Sequence, residues 1–282
     1  MNVINTVHDV RTLVNKWRKE GYTIGFVPTM GYLHEGHAAL MRRARAENDK
    51  VVVSIFVNPA QFGENEDLDA YPRNLDGDKS LCDSIGIDAI FAPDATEMYH
   101  DPKAFVDIID LSKTLCGVTR PIHFKGVCTV VSKLFNIVQP NNAYFGQKDA
   151  QQLAIIRKMV EDLNFPVTII GGVPIVREED GLAKSSRNTY LSPSERKAAT
   201  ILYKSIQVGQ NTIVPGSSAD SIINAMTDVI NTEPLAHIDY VSIVDAVTMQ
   251  PVDTIDRPVL IALAVYIGHT RLIDNFSYEL HQ

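Results

Sequence analysis

A chain of 282 residues, 45% hydrophobic and 21% charged, is long enough for one large core and a second, smaller domain. Its net charge of -8 at pH 7, with no basic stripe, excludes a surface built to hold nucleic-acid phosphates and points to a small-molecule substrate. Three cysteines (Cys82, Cys116, Cys128), odd in number and without Cys-x-x-Cys spacing, exclude a disulfide framework and fit buried thiols in a reducing compartment.

The first residues, Met1-Asn2-Val3-Ile4-Asn5, carry no basic region followed by an apolar stretch. No later segment approaches the roughly 18 uninterrupted apolar residues of a membrane span, so the expectation is a cytoplasmic protein with no membrane partner. The pattern predicts a helix over Val7 to Glu20, a strand ending at Pro28, a helix after His34 and a strand over Val51 to Val57. Further strands are expected at Asp88 to Phe91, Phe105 to Ile109, Ala143 to Phe145 and Val167 to Ile170. Helices are expected over Asp76 to Ile85, Gly126 to Val138 and Gln151 to Leu163. Alternating strands and helices, with strands that read as unbroken Val/Ile runs, predict an α/β fold with a doubly wound parallel sheet. Its ligand belongs beyond the carboxyl ends of the strands.

The pattern changes near Arg177. Helices over Pro193 to Val208 and up to about Asn231 are followed by strand-like runs at Ile238 to Val244, Val259 to Tyr266 and Thr270 to Tyr278. Helices followed by strands predict a separate α+β unit, which gives domains of 1–176 and 177–282.

The chemistry is concentrated at strand ends. His34-Glu35-Gly36-His37 follows Pro28-Thr29-Met30-Gly31 in a strand-to-helix turn. A helix start offers free N–H groups and a positive dipole end, and histidines three residues apart lie on one face, so both can meet one phosphate. Two other readings stay open: a pair of metal ligands lacking an evident third, and simple helix capping, which accounts for one histidine more readily than for two. After the Val51 strand, Asn58-Pro59-Ala60-Gln61-Phe62 sets out two amides, or is only a turn. After the Ala143 strand, Gly146-Gln147-Lys148-Asp149 places a cation for phosphates and a carboxylate for ribose hydroxyls, or is only a helix start. Asp180 to Asn188 holds Lys184, Ser185, Ser186 and Arg187, which make either an anion clamp on a moving lid or a polar linker.

Five runs taken together resemble the pantoate–β-alanine ligase family. They are Pro28-Thr29-Met30-Gly31-x-Leu33-His34-x-Gly36-His37, then Phe56-Val57-Asn58-Pro59-x-Gln61-Phe62, then Gly146-x-Lys148-Asp149-x-Gln151-Gln152-Leu153. Asp180-Gly181-Leu182-Ala183-x-Ser185-Ser186-Arg187-Asn188 and Thr270-Arg271-Leu272-Ile273-Asp274-Asn275 complete the set. The His-x-Gly-His piece alone is shared with a wider nucleotidyltransferase superfamily. Lys184 departs from the methionine common at its position.

The resemblance implies a Rossmann-like first domain, a smaller lid domain and a homodimer. It also implies ATP-dependent condensation of (R)-pantoate with β-alanine, through a pantoyl adenylate, to pantothenate, AMP and pyrophosphate. By similarity His34, His37, Lys148, Ser185, Ser186 and Arg187 serve catalysis. ATP is held by these together with Met30, Gly146, Asp149, Val176 and Lys184, with Mg²⁺ on its phosphates and no protein metal ligand assigned. Pantoate falls to Met30, Gln61, Gln152 and Asn58, with Tyr71 and the His123-Phe124 pair nearby. Two rival readings are a nucleotidyltransferase acting on a phosphorylated acceptor and an ATP-sensing module without turnover.

Overall fold

The computed structural model describes residues 1–64 and 66–280. It divides into two compact units, one of Met1–Ile108 and Arg120–Pro174, the other of Ile109–Thr119 and Ile175 onward. The division therefore falls between Pro174 and Ile175, and a short earlier stretch, absent from a purely linear boundary, groups with the second unit.

The first unit runs β1 (Asn2–Ile4), α1 (Val7–Lys19), β2 (Ile24–Thr29), α2 (Glu35–Glu47), β3 (Lys50–Ile55), α3 (Leu75–Ile85), β4 (Ala89–Phe91) and α4 (Ala95–Met98). After the excursion into the second unit, which contains α5 (Cys116–Thr119), it resumes with α6 (His123–Val138), β5 (Asn142–Gly146), α7 (Ala150–Asp162) and β6 (Thr168–Val173). The six strands pair in parallel in the order β1-β4-β3-β2-β5-β6. Ile24, Phe26, Val27, Val51, Val52 and Val53 are fully buried, as expected of strands covered on both faces.

The chain order reverses between β2 and β5, and the ladders diverge there. The β2–β3 ladder continues to Thr29, whereas the β2–β5 ladder ends at Phe26. Pro28 has no N–H to lend to a neighbour, so its place is beyond the end of that pairing. The strands part where a doubly wound sheet binds its ligand.

The second unit packs α8 (Pro193–Ala198), α9 (Ile201–Thr212) and α10 (Ala219–Ile230) with an antiparallel sheet β7 (Ala236–Asp245), β8 (Val259–Ile267) and β9 (Thr270–Tyr278). Its core joins Leu202, Ile206, Ile222 and Met226 from the helices to Ile261, Leu263 and Val265 of β8. Among the described residues, no helix is long and apolar enough to cross a membrane.

Three expectations are corrected. Phe105 to Ile109 is not a strand: Val106 exchanges its backbone hydrogen bonds with the Thr129 hydroxyl, at 3.0 and 3.2 Å, and Phe105 and Ile109 are exposed. The helix foreseen from Pro193 to Val208 is broken between Ala198 and Ile201. There the Thr200 hydroxyl donates back to the Lys197 carbonyl at 2.9 Å, a local bond that competes with continuous helix. Of the three thiols, Cys82 and Cys128 are buried but Cys116 is only half-buried, with Sγ 3.3 Å from the Tyr240 hydroxyl.

Candidate active site

The loop after β2 turns sharply through Gly31 (φ +84°) and Tyr32 (φ +50°) into the start of α2. A Cβ at Gly31 would lie 2.8 Å from Ile55 Cγ2, so glycine is demanded by both backbone angle and space. His34 is the N-cap of α2. Its Nδ1 accepts the Gly36 N–H at 3.1 Å, while His37 Nδ1 accepts the His34 N–H at 3.2 Å. This is a capping box in which two imidazoles play the parts usually taken by Ser and Glu. Capping thus accounts for both histidines, and it leaves a functional consequence. With each Nδ1 used as acceptor, the proton of each neutral ring sits on Nε2, which becomes a donor. The rings stand with centroids 4.1 Å apart. Desolvation, reinforced by His34 and Lys148, holds the His37 pKa well below the ordinary 6.5, so this ring is neutral at physiological pH.

Beyond β3, a single turn over Pro59–Gln61 is capped by Asn58, whose Oδ1 accepts the Ala60 N–H at 3.3 Å. Asn58 is buried and its amide is engaged on every side. Nδ2 donates to Gln61 Oε1 at 3.0 Å and to the Gly126 carbonyl at 3.2 Å, and Oδ1 also accepts from the Tyr99 hydroxyl at 2.7 Å. Its polar capacity goes into fixing Gln61 rather than outward. Gln61 Nε2 in turn reaches Met30 Sδ at 3.2 Å, which ties the amide turn to the histidine loop. A Cβ at Gly126 would lie 2.3 Å from the Ala60 carbonyl oxygen and 2.5 Å from Gln61 Cα, so α6 presses on this turn through a bare glycine. His123 Nδ1 lies 3.1 Å from the Gln61 carbonyl oxygen and its ring centroid 4.9 Å from that of Phe124. Tyr71 is buried edge-on against Phe62.

At the end of β5, Gly146 leads into a single turn over Gln147–Asp149 and then into α7. The Lys148 ammonium is 3.8 Å from Asp149, and its charge helps to lower the His37 pKa. Gln152 is half-buried in the first turn of α7. The parallel ladder of β2 with β5 sets these motifs side by side at the carboxyl edge of one sheet.

In the second unit, residues 176–184 fold back on themselves. The Lys184 N–H donates to the Val176 carbonyl at 2.9 Å, the Glu178 N–H to the Leu182 carbonyl at 2.8 Å, and Arg177 pairs across with Ala183. The Lys184 ammonium is bound to Glu178 at 2.8 Å, so a cation without an assigned task in the sequence is matched by a carboxylate of the same hairpin. Arg177 forks onto buried Asp274 at 2.6 and 2.9 Å, stacks 4.5 Å above the Tyr203 ring and donates to the Gly181 carbonyl at 3.0 Å. Ser185 Oγ accepts the Arg187 N–H at 3.3 Å as the cap of the turn Ser186–Tyr190, and Ser186 is buried.

Similarity to known proteins is consistent along the chain. The family profile described as pantoate-beta-alanine ligase matches residues 2–277. The chain belongs to the pantoate–β-alanine ligase family. Pantothenate synthetases of Clostridium botulinum (strain Langeland) and Enterococcus faecalis are each 57% identical to it over 282 residues, covering 99% of this chain and 100% of theirs. A solved pantothenate synthetase from Thermus thermophilus superposes with a TM-score of 0.92 at 44% identity, covering 98% of this chain and 99% of that one. A Francisella tularensis pantoate-beta-alanine ligase, solved with beta-gamma ATP and β-alanine, superposes at 0.81 with 34% identity, covering 98% and 97%.

Within this member of the pantoate–β-alanine ligase family, two contributors escaped sequence reasoning. Tyr99 anchors Asn58, and Asp78 accepts the backbone N–H groups of Tyr32 and Leu33 at 3.0 and 2.6 Å. Both act across more than 40 positions of sequence, and neither lies in a motif, so no local spacing could have marked them.

Proposed function

We propose that the protein condenses (R)-pantoate with β-alanine at the expense of ATP, through a pantoyl adenylate, to pantothenate, AMP and pyrophosphate. The observation that carries this reading is Gln61, an amide held by Asn58 and resting on Met30, beside a loop whose two imidazoles are fixed as Nε2 donors. An anion-facing pair next to an amide-lined niche suits a triphosphate and a small hydroxy acid together. Amides orient a carboxylate without withdrawing the electron density it needs as a nucleophile.

In the first step a pantoate carboxylate oxygen attacks the α-phosphorus in line, and the bond to pyrophosphate breaks. The Nε2–H groups of His34 and His37 and the ammonium of Lys148 neutralise the charge that spreads over the phosphate oxygens, a contribution of position and electrostatics rather than covalency. Gln61 and Gln152 hold the hydroxyl and carboxylate of pantoate, while Gly146 and Asp149 meet the ribose. Val176 offers backbone groups to the adenine, with Lys184 beside it, and Ser185, Ser186 and Arg187 close on the phosphates as the second unit acts as a lid. Mg²⁺ arrives on the ATP phosphates as part of the substrate. In the second step the neutral amine of β-alanine attacks the acyl carbon and AMP departs. The homodimer and cytoplasmic location belong to the same reading.

The test is an omission assay with purified protein, ATP, Mg²⁺, pantoate and β-alanine. Pyrophosphate release is expected to require pantoate but not β-alanine, and AMP release to require β-alanine. Pyrophosphate formed only with a phosphorylated acceptor, or ATP bound without turnover, would replace this reading with one of its rivals. Addition of ATP and pantoate is further expected to slow hydrogen exchange over residues 180–188.

A further inference from the structure

Asp78 lies in the first turn of α3, yet it does nothing for that helix which is not already done. Asn74 caps α3 by accepting the Gly77 N–H at 3.0 Å, and Asp76 supplies an exposed acidic group at the helix start. Asp78 instead points away from water: it is 3% exposed, and its two carboxylate oxygens accept the N–H groups of Tyr32 and Leu33 at 3.0 and 2.6 Å. Those are successive donors of the turn through Gly31 and Tyr32, the residues with φ of +84° and +50°. Successive backbone N–H groups in such a turn form a concavity that binds an anion. Here the anion is supplied by the protein itself. The packing is close enough that a Cβ on Gly31 would come within 3.1 Å of an Asp78 oxygen.

We propose that Asp78 is a positioning residue for the phosphate-facing histidines: its carboxylate clamps the backbone at Tyr32 and Leu33 and so sets where His34 and His37 aim. The clamp ends one residue before His34, the N-cap whose N–H is in turn held by His37. A shift of the loop at Leu33 therefore moves both rings as a unit. The inference rests on the reading of those rings as contacts to ATP.

Burial raises the Asp78 pKa, against the opposing pull of the Leu33 and Tyr32 hydrogen bonds, so ionisation of this group is a burden on the folded state. Asp78→Asn removes that burden while presenting an NH₂ to one of two N–H donors, which spoils the clamp and spares the packing.

The experiment compares wild type, Asp78→Asn, His37→Ala and the double variant. Single-turnover adenylate formation in Asp78→Asn is expected to fall about 10- to 100-fold, the scale of a misaimed site, with ATP and pantoate KM values within about threefold and a melting temperature lowered by no more than the loss of one buried hydrogen bond. In the His37→Ala background the same change is expected to cost little more, because residues acting through one another are not additive. Imidazole ¹⁵N spectra of Asp78→Asn, with the double variant used for assignment, are expected to show His34 and His37 leaving the pure Nε2–H tautomer. An unchanged rate, or losses that multiply in the double variant, would overturn the proposal. If wild type forms no adenylate, the functional reading fails by itself, and the ¹⁵N spectra still decide the role of Asp78: unaltered tautomers overturn it. Should Asp78→Asn not fold, Asp78→Glu, which keeps the charge and displaces the oxygens by one methylene, takes its place in every arm with the same expected direction.

Discussion

His37 accepts the backbone N–H of His34 through Nδ1 at 3.2 Å, so the second histidine of the motif holds the first in place as the cap of α2. The bond serves the helix and the chemistry together, because an occupied Nδ1 keeps the ring proton on Nε2.

Substitution separates the two services. His34→Asn retains a good N-cap, whereas His34→Ala loses it at a cost of about 1 kcal/mol in stability. Both are expected to slow adenylate formation about 100-fold or more, as loss of a transition-state donor does, with His37→Ala alike. Quenched single-turnover measurements check the rate and thermal melting the cap. A His34→Asn variant with full activity would remove the imidazole from the mechanism.

The pH profile carries a definite sign. Protonated His37 cannot accept at Nδ1, so the box opens when the ring becomes charged. Because its folded-state pKa lies well below 6.5, the unfolded chain takes up this proton first, and stability from the neutral ring is intact above pH 6.5 and declines as pH falls below it. The acid limb of kcat/KM assigned to His37 is therefore expected below pH 6.5. A limb at or above that value which vanishes in His37→Gln would contradict the geometry.

Gln61→Ala is expected to raise the pantoate requirement far more than the ATP requirement. Gly126→Ala is expected to do the same from a distance, since its new methyl would drive into the Ala60 carbonyl and displace the Asn58–Gln61 turn. Calorimetric binding of each ligand checks both, and an equal loss for ATP and pantoate would argue against a substrate-specific turn.

Asp274→Ala leaves the Arg177 guanidinium without its buried partner, a loss of about 3 to 5 kcal/mol for such pairs. The expected result is faster hydrogen exchange over residues 176–188 with slower turnover. Exchange as slow as in wild type would show that stacking on Tyr203 suffices to hold the hairpin.

The alternation of Val/Ile runs with amphipathic stretches made the parallel sheet and its carboxyl-edge motifs legible, because strand and helix periods are local properties of side-chain spacing. The Thr270–Asn275 run could be recognised but not explained, since the pairing of Asp274 with Arg177 spans 97 positions. Phe105 to Ile109 failed for the complementary reason. Its residues suit a strand, but among the described residues no strand pairs with it, and the Thr129 hydroxyl takes the backbone bonds of Val106 instead.

By itself, then, the order of residues determined most of the segments that become strands and helices and which residue types stand at their ends. Only the tertiary structure decided that Asn58 spends its amide on Gln61, that Asp78 fills the turn before the histidines, and that Lys184 is matched by Glu178. Such pairings depend on where a buried donor finds its nearest acceptor, and for Asp78 that distance is set by packing between remote segments rather than by spacing along the chain.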